Sequence, residues 1–169
     1  MVNLRHPLRL NVGFLVNQPI GTSRDFNFEY PEIRLIDLDL TQFSGTARIS
    51  RTPQGLWVQG DFEGATMLEC VRCLDTYEHG LQWSFTDLYA FDERSLSESG
   101  LILPENAHID LEPLMRDYAM IEIPINPICK VGCKGLCAVC GENWNKKDCQ
   151  HRLSTPDPSF APLKSLQKE

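Results

Sequence analysis

From Cys129 to His151 the sequence reads CKVGCKGLCAVCGENWNKKDCQH, which holds five of the chain's seven cysteines and one of its four histidines. Cys137 and Cys140 stand two residues apart with Gly141 next. At that spacing a tight turn aims both sulfurs and nearby backbone N–H groups at one Zn²⁺. A tetrahedral ion takes four ligands and this stretch offers six, too many for one site and two short of two. The missing pair lies upstream, where Cys70-Val71-Arg72-Cys73-Leu74 repeats the two-residue spacing.

Eight candidate ligands result: Cys70, Cys73, Cys129, Cys133, Cys137, Cys140, Cys149 and His151, with no cysteine left over. Two partitions satisfy the arithmetic. In the first, Cys137, Cys140, Cys149 and His151 close over a short loop at small entropic cost, which leaves Cys70, Cys73, Cys129 and Cys133 for a second ion and clasps segment 129–151 to 70–73. In the second, the two knuckles Cys70/Cys73 and Cys137/Cys140 share an ion, as in zinc ribbons. The first is favoured. Closed thiolate sites leave no open position for water or substrate, so one or two structural zinc ions are expected, not a catalytic one. Three readings compete with this. A single set of four is filled; an iron–sulfur centre replaces zinc, against which the histidine argues; or one cysteine pairs with His151 in a small cysteine-dependent redox or metal enzyme. The last needs a metal-free thiolate beside a base and an oxyanion pocket, whereas every cysteine here sits at ligand spacing.

Composition bounds the rest. A chain of 169 residues, 42% hydrophobic, can bury one moderate core. The expected organisation is one zinc-binding domain over residues 1–151 and a Pro-, Ser- and Lys-rich tail, 152–169, ordered only in part. Net charge is −7, so the global field repels phosphate backbones and attracts basic partners. Residues 1–15 lack an unbroken apolar run and a small-residue cleavage site and read as a strand, not a signal peptide. No segment reaches the roughly 18 apolar residues of a membrane helix. The expected setting is cytoplasmic and reducing, with thiols serving metal and not disulfides.

The remaining pattern is mostly strand. Residues 8–16 alternate roughly apolar and polar; 17–29, with Pro19, Gly21 and Asp25, read as a long loop that Pro31 ends. Residues 33–40 read as a second strand with a slip near Leu35 taken as a bulge. Residues 43–51, the Pro53-Gln54-Gly55 turn and 56–62 make a hairpin, which 64–68 extend. Tyr77, Leu81, Trp83, Phe85, Leu88, Tyr89 and Phe91 suit a further strand bordering the same sheet. Residues 95–106 read as an exposed connection. Asp110 then caps a helix carrying Leu111, Leu114, Met115, Tyr118 and Ile121 or Glu122 at three-and-four spacing, with Pro113 in its first turn and Pro124 as its stop. The fold class is therefore α+β: mainly an antiparallel sheet with one packed amphipathic helix and a C-terminal zinc-binding segment.

Lys130, Lys134, Lys146, Lys147 and Arg152 cluster around the cysteines, with Arg72 in the first knuckle. Part of this charge offsets the thiolates; the sharper reading is contact with nucleic-acid phosphates. Trp57, Trp83 and Trp144 can stack on bases, although aromatics at strand spacing more often pack a sheet. His6, His79 and His108 are isolated and read as surface or strand residues.

Strands followed by Cys70-Val71-Arg72-Cys73-Leu74, an acidic helix ending in Ile123-Pro124-Ile125-Asn126-Pro127, Lys134-Gly135-Leu136-Cys137 and Cys140-Gly141 resemble the DUF177 family, also called YceD, from about residue 40 onward. The closing Asp157-Pro158-Ser159-Phe160-Ala161-Pro162-Leu163-Lys164-Ser165-Leu166 is similar to that family's end motif. Where members commonly end the cysteine stretch in two cysteines, this chain has Cys149 and then His151, a replacement zinc accepts. The resemblance implies a metal-binding, nucleic-acid-associated protein needed for accumulation of large-subunit (23S) ribosomal RNA and often encoded beside ribosomal protein L32. It carries over no contact residues beyond the metal ligands. The expectation is a non-enzymatic factor supporting large-subunit assembly through ribosomal RNA, a basic ribosomal protein such as L32, or both, with no membrane and no small-molecule substrate.

Overall fold

The computed structural model describes residues 7–151. Arg152, His6, the tail 152–169 and the end motif lie outside the described residues. The chain forms two compact units, one of Met1–Leu68 with Tyr77–Ile125 and a second of Glu69–Thr76 with Asn126–Glu169.

The first unit is mainly antiparallel sheet with two helices. Strands β2 (Ser23–Leu35), β3 (Leu38–Arg51), β4 (Gly55–Glu69) and β5 (Thr76–Ala90) follow one another in a four-stranded sheet of order β2-β3-β4-β5. A second sheet pairs β1 (Arg9–Asn11) with β6 (His108–Asp110), antiparallel. Helix α1 spans Gly13–Val16 and α2 spans Glu112–Glu122. Along β4 and β5 buried and exposed residues alternate: Val58, Phe62, Leu81, Trp83 and Phe85 face the core, while Gln59, Asp61, Gln82 and Ser84 face solvent. That period of two places one face of the sheet on the core. Its centre is aromatic, with Phe43 and Phe62 stacked at 5.7 Å between centroids and Phe62 and Phe85 at 5.9 Å. Helix α2 buries Met115 and Ala119 and stacks Tyr118 on Phe85 at 5.2 Å.

The hairpin at 52–55 stands where Pro53 and Gly55 put it, with Thr52 Oγ1 accepting the Gly55 N–H at 3.1 Å. Asp110 serves the start of α2 one residue later than expected, its Oδ1 accepting the Glu112 N–H at 3.0 Å. Ile123 turns extended ahead of Pro124 and ends the helix.

Three expectations are corrected. Residues 8–16 are not one strand: β1 stops at Asn11, whose Oδ1 accepts the Gly13 N–H at 3.0 Å, and α1 follows. The buried residues are Leu8, Val12 and Leu15, at helix-like steps of four and three, while Phe14 is half exposed. The loop read over 17–29 ends earlier, because β2 begins at Ser23 and alternates Phe26, Phe28 and Tyr30 inward with Asp25, Asn27 and Glu29 outward. Pro31 lies inside β2, an edge strand, at a position the register with β3 skips between Tyr30 and Glu32, so its missing N–H is tolerated. The slip near Leu35 is a tight reversal and not a bulge: Leu35 pairs Leu38 across Ile36-Asp37, and Ile36 has φ +55. A β-branched residue in that region is strained by about 1–2 kcal/mol. Tertiary contacts hold it there: Glu112 accepts the Ile36 N–H at 3.0 Å and Arg116 grips both Asp37 oxygens at 2.8 and 2.7 Å.

Candidate metal centre

The second unit is built from two knuckles of the same local design. Each begins with a cysteine whose carbonyl accepts the N–H four residues on, Cys70 from Leu74 and Cys137 from Gly141, both at 2.9 Å. Each first cysteine also donates its own N–H to the carbonyl five residues on, Cys70 to Asp75 at 3.0 Å and Cys137 to Glu142 at 2.8 Å. The reversal needs positive φ four residues after the first cysteine, +58 at Leu74 and +72 at Gly141. Glycine adopts this freely and leucine at a cost, so the first knuckle lacks the glycine that marks the second. The segments are cross-tied by Val71 N–H to the Pro127 carbonyl at 2.9 Å and Leu136 N–H to the Arg72 carbonyl at 3.1 Å. Gly135, at φ +76, lets the chain pass the Arg72 carbonyl, which a Cβ would approach to 3.1 Å.

This backbone gathers the eight side chains into two sets of four: Cys70, Cys73, Cys129 and Cys133; and Cys137, Cys140, Cys149 and His151. Within each set the donor atoms all lie within 4.8 Å of one another. The Cys70 and Cys133 sulfurs are 3.8 Å apart and those of Cys73 and Cys129 3.7 Å. A tetrahedral ion with zinc–sulfur bonds of about 2.3 Å spaces its sulfurs by about 3.8 Å, so these two pairs already stand at the spacing such an ion sets. Its cysteines are buried apart from a half-buried Cys129; in the second set Cys140 and His151 are exposed. Each set could hold a metal ion.

The thiols of the first set are unequal. Burial pushes Cys70 up, but the backbone N–H groups of Cys129, Cys73 and Arg72 outweigh it and bring it down to about 6. Cys133 is also lowered, burial being overcome by the Asn145 amide and the Gly135 N–H. Cys129 is driven up to about 12 by burial and the neighbouring sulfurs, and Cys73 is raised as well: the Asp75 N–H pulls it down, but burial and the sulfurs of Cys70 and Cys133 prevail. Four clustered thiols cannot all ionise on their own, and a divalent cation is what permits it. In the second set the Trp144 N–H, 3.1 Å from the Cys149 sulfur, leads in bringing that thiol to about 6 against the pull of burial.

Five of the basic residues singled out in the sequence fall in this unit and are exposed: Arg72, Lys130, Lys134, Lys146 and Lys147. Lys146 pairs with Asp75 at 2.7 Å and Arg72 donates to the Cys133 carbonyl at 3.2 Å. Lys134 and Trp144, with Asp148 and His151, line a cavity of about 400 Å³. Of the other tryptophans, Trp83 belongs to the core of the first unit and Trp57 is 39% exposed. Sequence reasoning missed Trp144 and Asn145 as partners of the cysteines, and Asn143 as the residue that holds Asn145; the only signal was their place between Gly141 and Cys149.

The family model described as Large ribosomal RNA subunit accumulation protein YceD matches residues 58–167. The chain belongs to this family. Among YceD relatives, a protein of Mycobacterium tuberculosis and one of Mycobacterium bovis, both named only as uncharacterised, are each 32% identical over 135 residues, 76% of this chain. The chain spans 60% of their length. The Large ribosomal RNA subunit accumulation protein YCED homolog 1, chloroplastic, of Arabidopsis thaliana is 38% identical over 66 residues, 39% of this chain and 21% of its own. No solved structure matches. The YceD family is thus named for accumulation of large-subunit ribosomal RNA and not for an enzyme activity. Among the described residues no helix is long and apolar enough to cross a membrane.

Proposed function

We propose that this YceD chain is a non-enzymatic, cytoplasmic factor that holds two structural zinc ions and supports accumulation or assembly of the large ribosomal subunit. The observation that carries the reading is the gathering of eight side chains into two tetrahedral-sized sets in a chain of this family. Zinc is favoured over other ions because the donors are four thiols in one set and three thiols with an imidazole in the other, both at home on zinc. Four ligands per ion leave no open position, which argues against a metal-dependent enzyme.

Contact with the ribosome divides between the two units. Every lysine of the chain lies at position 130 or later. Ribosomal RNA is therefore met locally, by Arg72, Lys130, Lys134 and Lys147 of the metal unit, with Lys146 partly engaged by Asp75. A basic ribosomal protein such as L32 suits the acidic remainder, which attracts it at long range. In purified protein we expect two zinc ions per chain, one lost in Cys70→Ser and the other in Cys149→Ser. Binding to a large-subunit RNA fragment is expected to weaken with salt. Replacing Lys130, Lys134 and Lys147 by Gln together should flatten the log–log salt slope by roughly 2–3, at about 0.7–0.9 per phosphate contact. An unchanged slope would show that these lysines serve only to offset thiolate charge.

A further inference from the structure

Two adjacent side chains hydrogen-bond the sulfurs of two different ligand sets. Trp144 donates its indole N–H to the Cys149 sulfur at 3.1 Å, and Asn145 donates Nδ2 to the Cys133 sulfur at 3.3 Å. The turn that carries them is over-determined. Asn143, only 9% exposed, accepts the Asn145 N–H at 2.9 Å and the Asn145 Nδ2 at 2.9 Å on its Oδ1. Its own Nδ2 donates to Asp75 at 2.8 Å, which fastens the turn to the loop that bears Cys70 and Cys73. Asn145 Oδ1 accepts the Lys134 N–H at 3.0 Å, and the Trp144 N–H reaches the Gly135 carbonyl at 3.0 Å. The turn thus has one hand on each set.

We propose that Asn143-Trp144-Asn145 couples the two metal sites, so that filling either one raises the affinity of the other. The inference rests on the two-metal reading above. An N–H donor aimed at a thiolate supports it as a ligand, and such outer partners tune metal affinity by about 10–100-fold. A metal in the first set pins the Cys133 sulfur and with it Asn145; the backbone of the turn is then ordered, and Trp144 arrives already placed at Cys149. The ordering cost is met once and shared by both ions. By linkage the effect is reciprocal: a metal on Cys149 pre-places Asn145 equally. Trp144 and Asn145 are positioning residues, since they act through the sulfurs.

The test is a cobalt(II) titration of the metal-free, reduced full chain, read by d–d absorption and by thiolate-to-cobalt charge transfer, with competition by a chelator to rank affinities. Wild type is expected to take two ions. Cys149→Ser, which cripples the second site, should weaken the first by about 10-fold. Asn145→Ala should shift the charge-transfer band of the first site, and in that background Cys149→Ser should no longer change first-site affinity. Trp144→Phe keeps an aromatic ring but loses the pyrrole part of the indole with its N–H, and it leaves all eight ligands in place, so it carries the test even if Cys149→Ser misfolds; it should weaken both sites. Two ions in wild type with a first site indifferent to both Cys149→Ser and Trp144→Phe would overturn the coupling. Fewer than two ions in wild type would overturn the two-metal reading itself.

Discussion

Tyr89 sits on the inner face of β5, 5% exposed, with its hydroxyl donating to the Asp110 carbonyl at 3.2 Å, just ahead of α2. Burial, with the charges of Asp110 and Asp87 adding to it, pushes the phenol from its ordinary 10.0 up to about 12. The folded state therefore favours the neutral phenol. This group's contribution to stability is full below pH 10 and is lost as pH rises through the folded value near 12. At about 1.4 kcal/mol per pKa unit, roughly 1.3 kcal/mol should be gone by pH 11 relative to pH 9 and nearly twice that above pH 12. The comparison is Tyr89→Phe, which loses the hydrogen bond, worth about 1 kcal/mol, but has no phenol to ionise. Urea unfolding followed by circular dichroism should find wild type the more stable at pH 9 by about 1 kcal/mol and the two chains nearly equal at pH 11. Taking the difference between the chains removes the shared contributions of other tyrosines, lysines and metal thiolates. A stability gap that stays the same from pH 9 to pH 11 would refute the argument that burial holds this phenol neutral.

Truncating the aromatic centre with Phe43→Ala should cost about 3–5 kcal/mol in chemical unfolding, because Phe43 is fully buried and stacked on Phe62. Ile36→Asn should stabilise the first unit by roughly 1 kcal/mol, since asparagine tolerates the positive φ that strains isoleucine; a loss of thermal stability would count against that strain. Asp37 is held below the usual carboxylate range, chiefly by its hydrogen bonds to Arg116. The stability this supplies is present above the ordinary carboxylate pKa and disappears as pH falls through the lowered value. The acid-unfolding midpoint of wild type should therefore lie below that of Arg116→Gln, and coincident midpoints would show that the pair contributes nothing. Chelation of metal at neutral pH should speed hydrogen exchange at the Leu74 and Gly141 amides, whose bonds close the knuckle turns, and at Leu136, whose bond ties the segments together, and unchanged exchange there would mean that these bonds stand without an ion.

Much of this protein was legible before any coordinates. The hairpin at 52–55 was readable because proline and glycine supply its backbone angles locally. Strand β5 was readable because Leu81, Trp83 and Phe85, turned inward, alternate with polar Gln82, Ser84 and Thr86. The reversal at Ile36-Asp37 was not, because nothing local favours it; its stability comes from Glu112 and Arg116, more than seventy residues away. Helix α1 was hidden for a related reason, since four residues are too few to establish a period.

The metal centre divides along the same line. Residue type and spacing by themselves picked out the eight side chains that could hold metal ions, because thiol and imidazole donors at short intervals are a local property of the chain. Which four belong together was weighed between two partitions with the short-loop one favoured, and the place of Asn143, Trp144 and Asn145 could not be read. Only the tertiary structure decided both. Cys70 and Cys133, separated by 63 positions, bring their sulfurs to 3.8 Å within the second unit, where the Val71 N–H bonds the Pro127 carbonyl and the Leu136 N–H the Arg72 carbonyl. Loop-closure cost grows only slowly with length, so sequence distance favours the short-loop set of Cys137, Cys140, Cys149 and His151 without excluding a long closure such as Cys70 with Cys133.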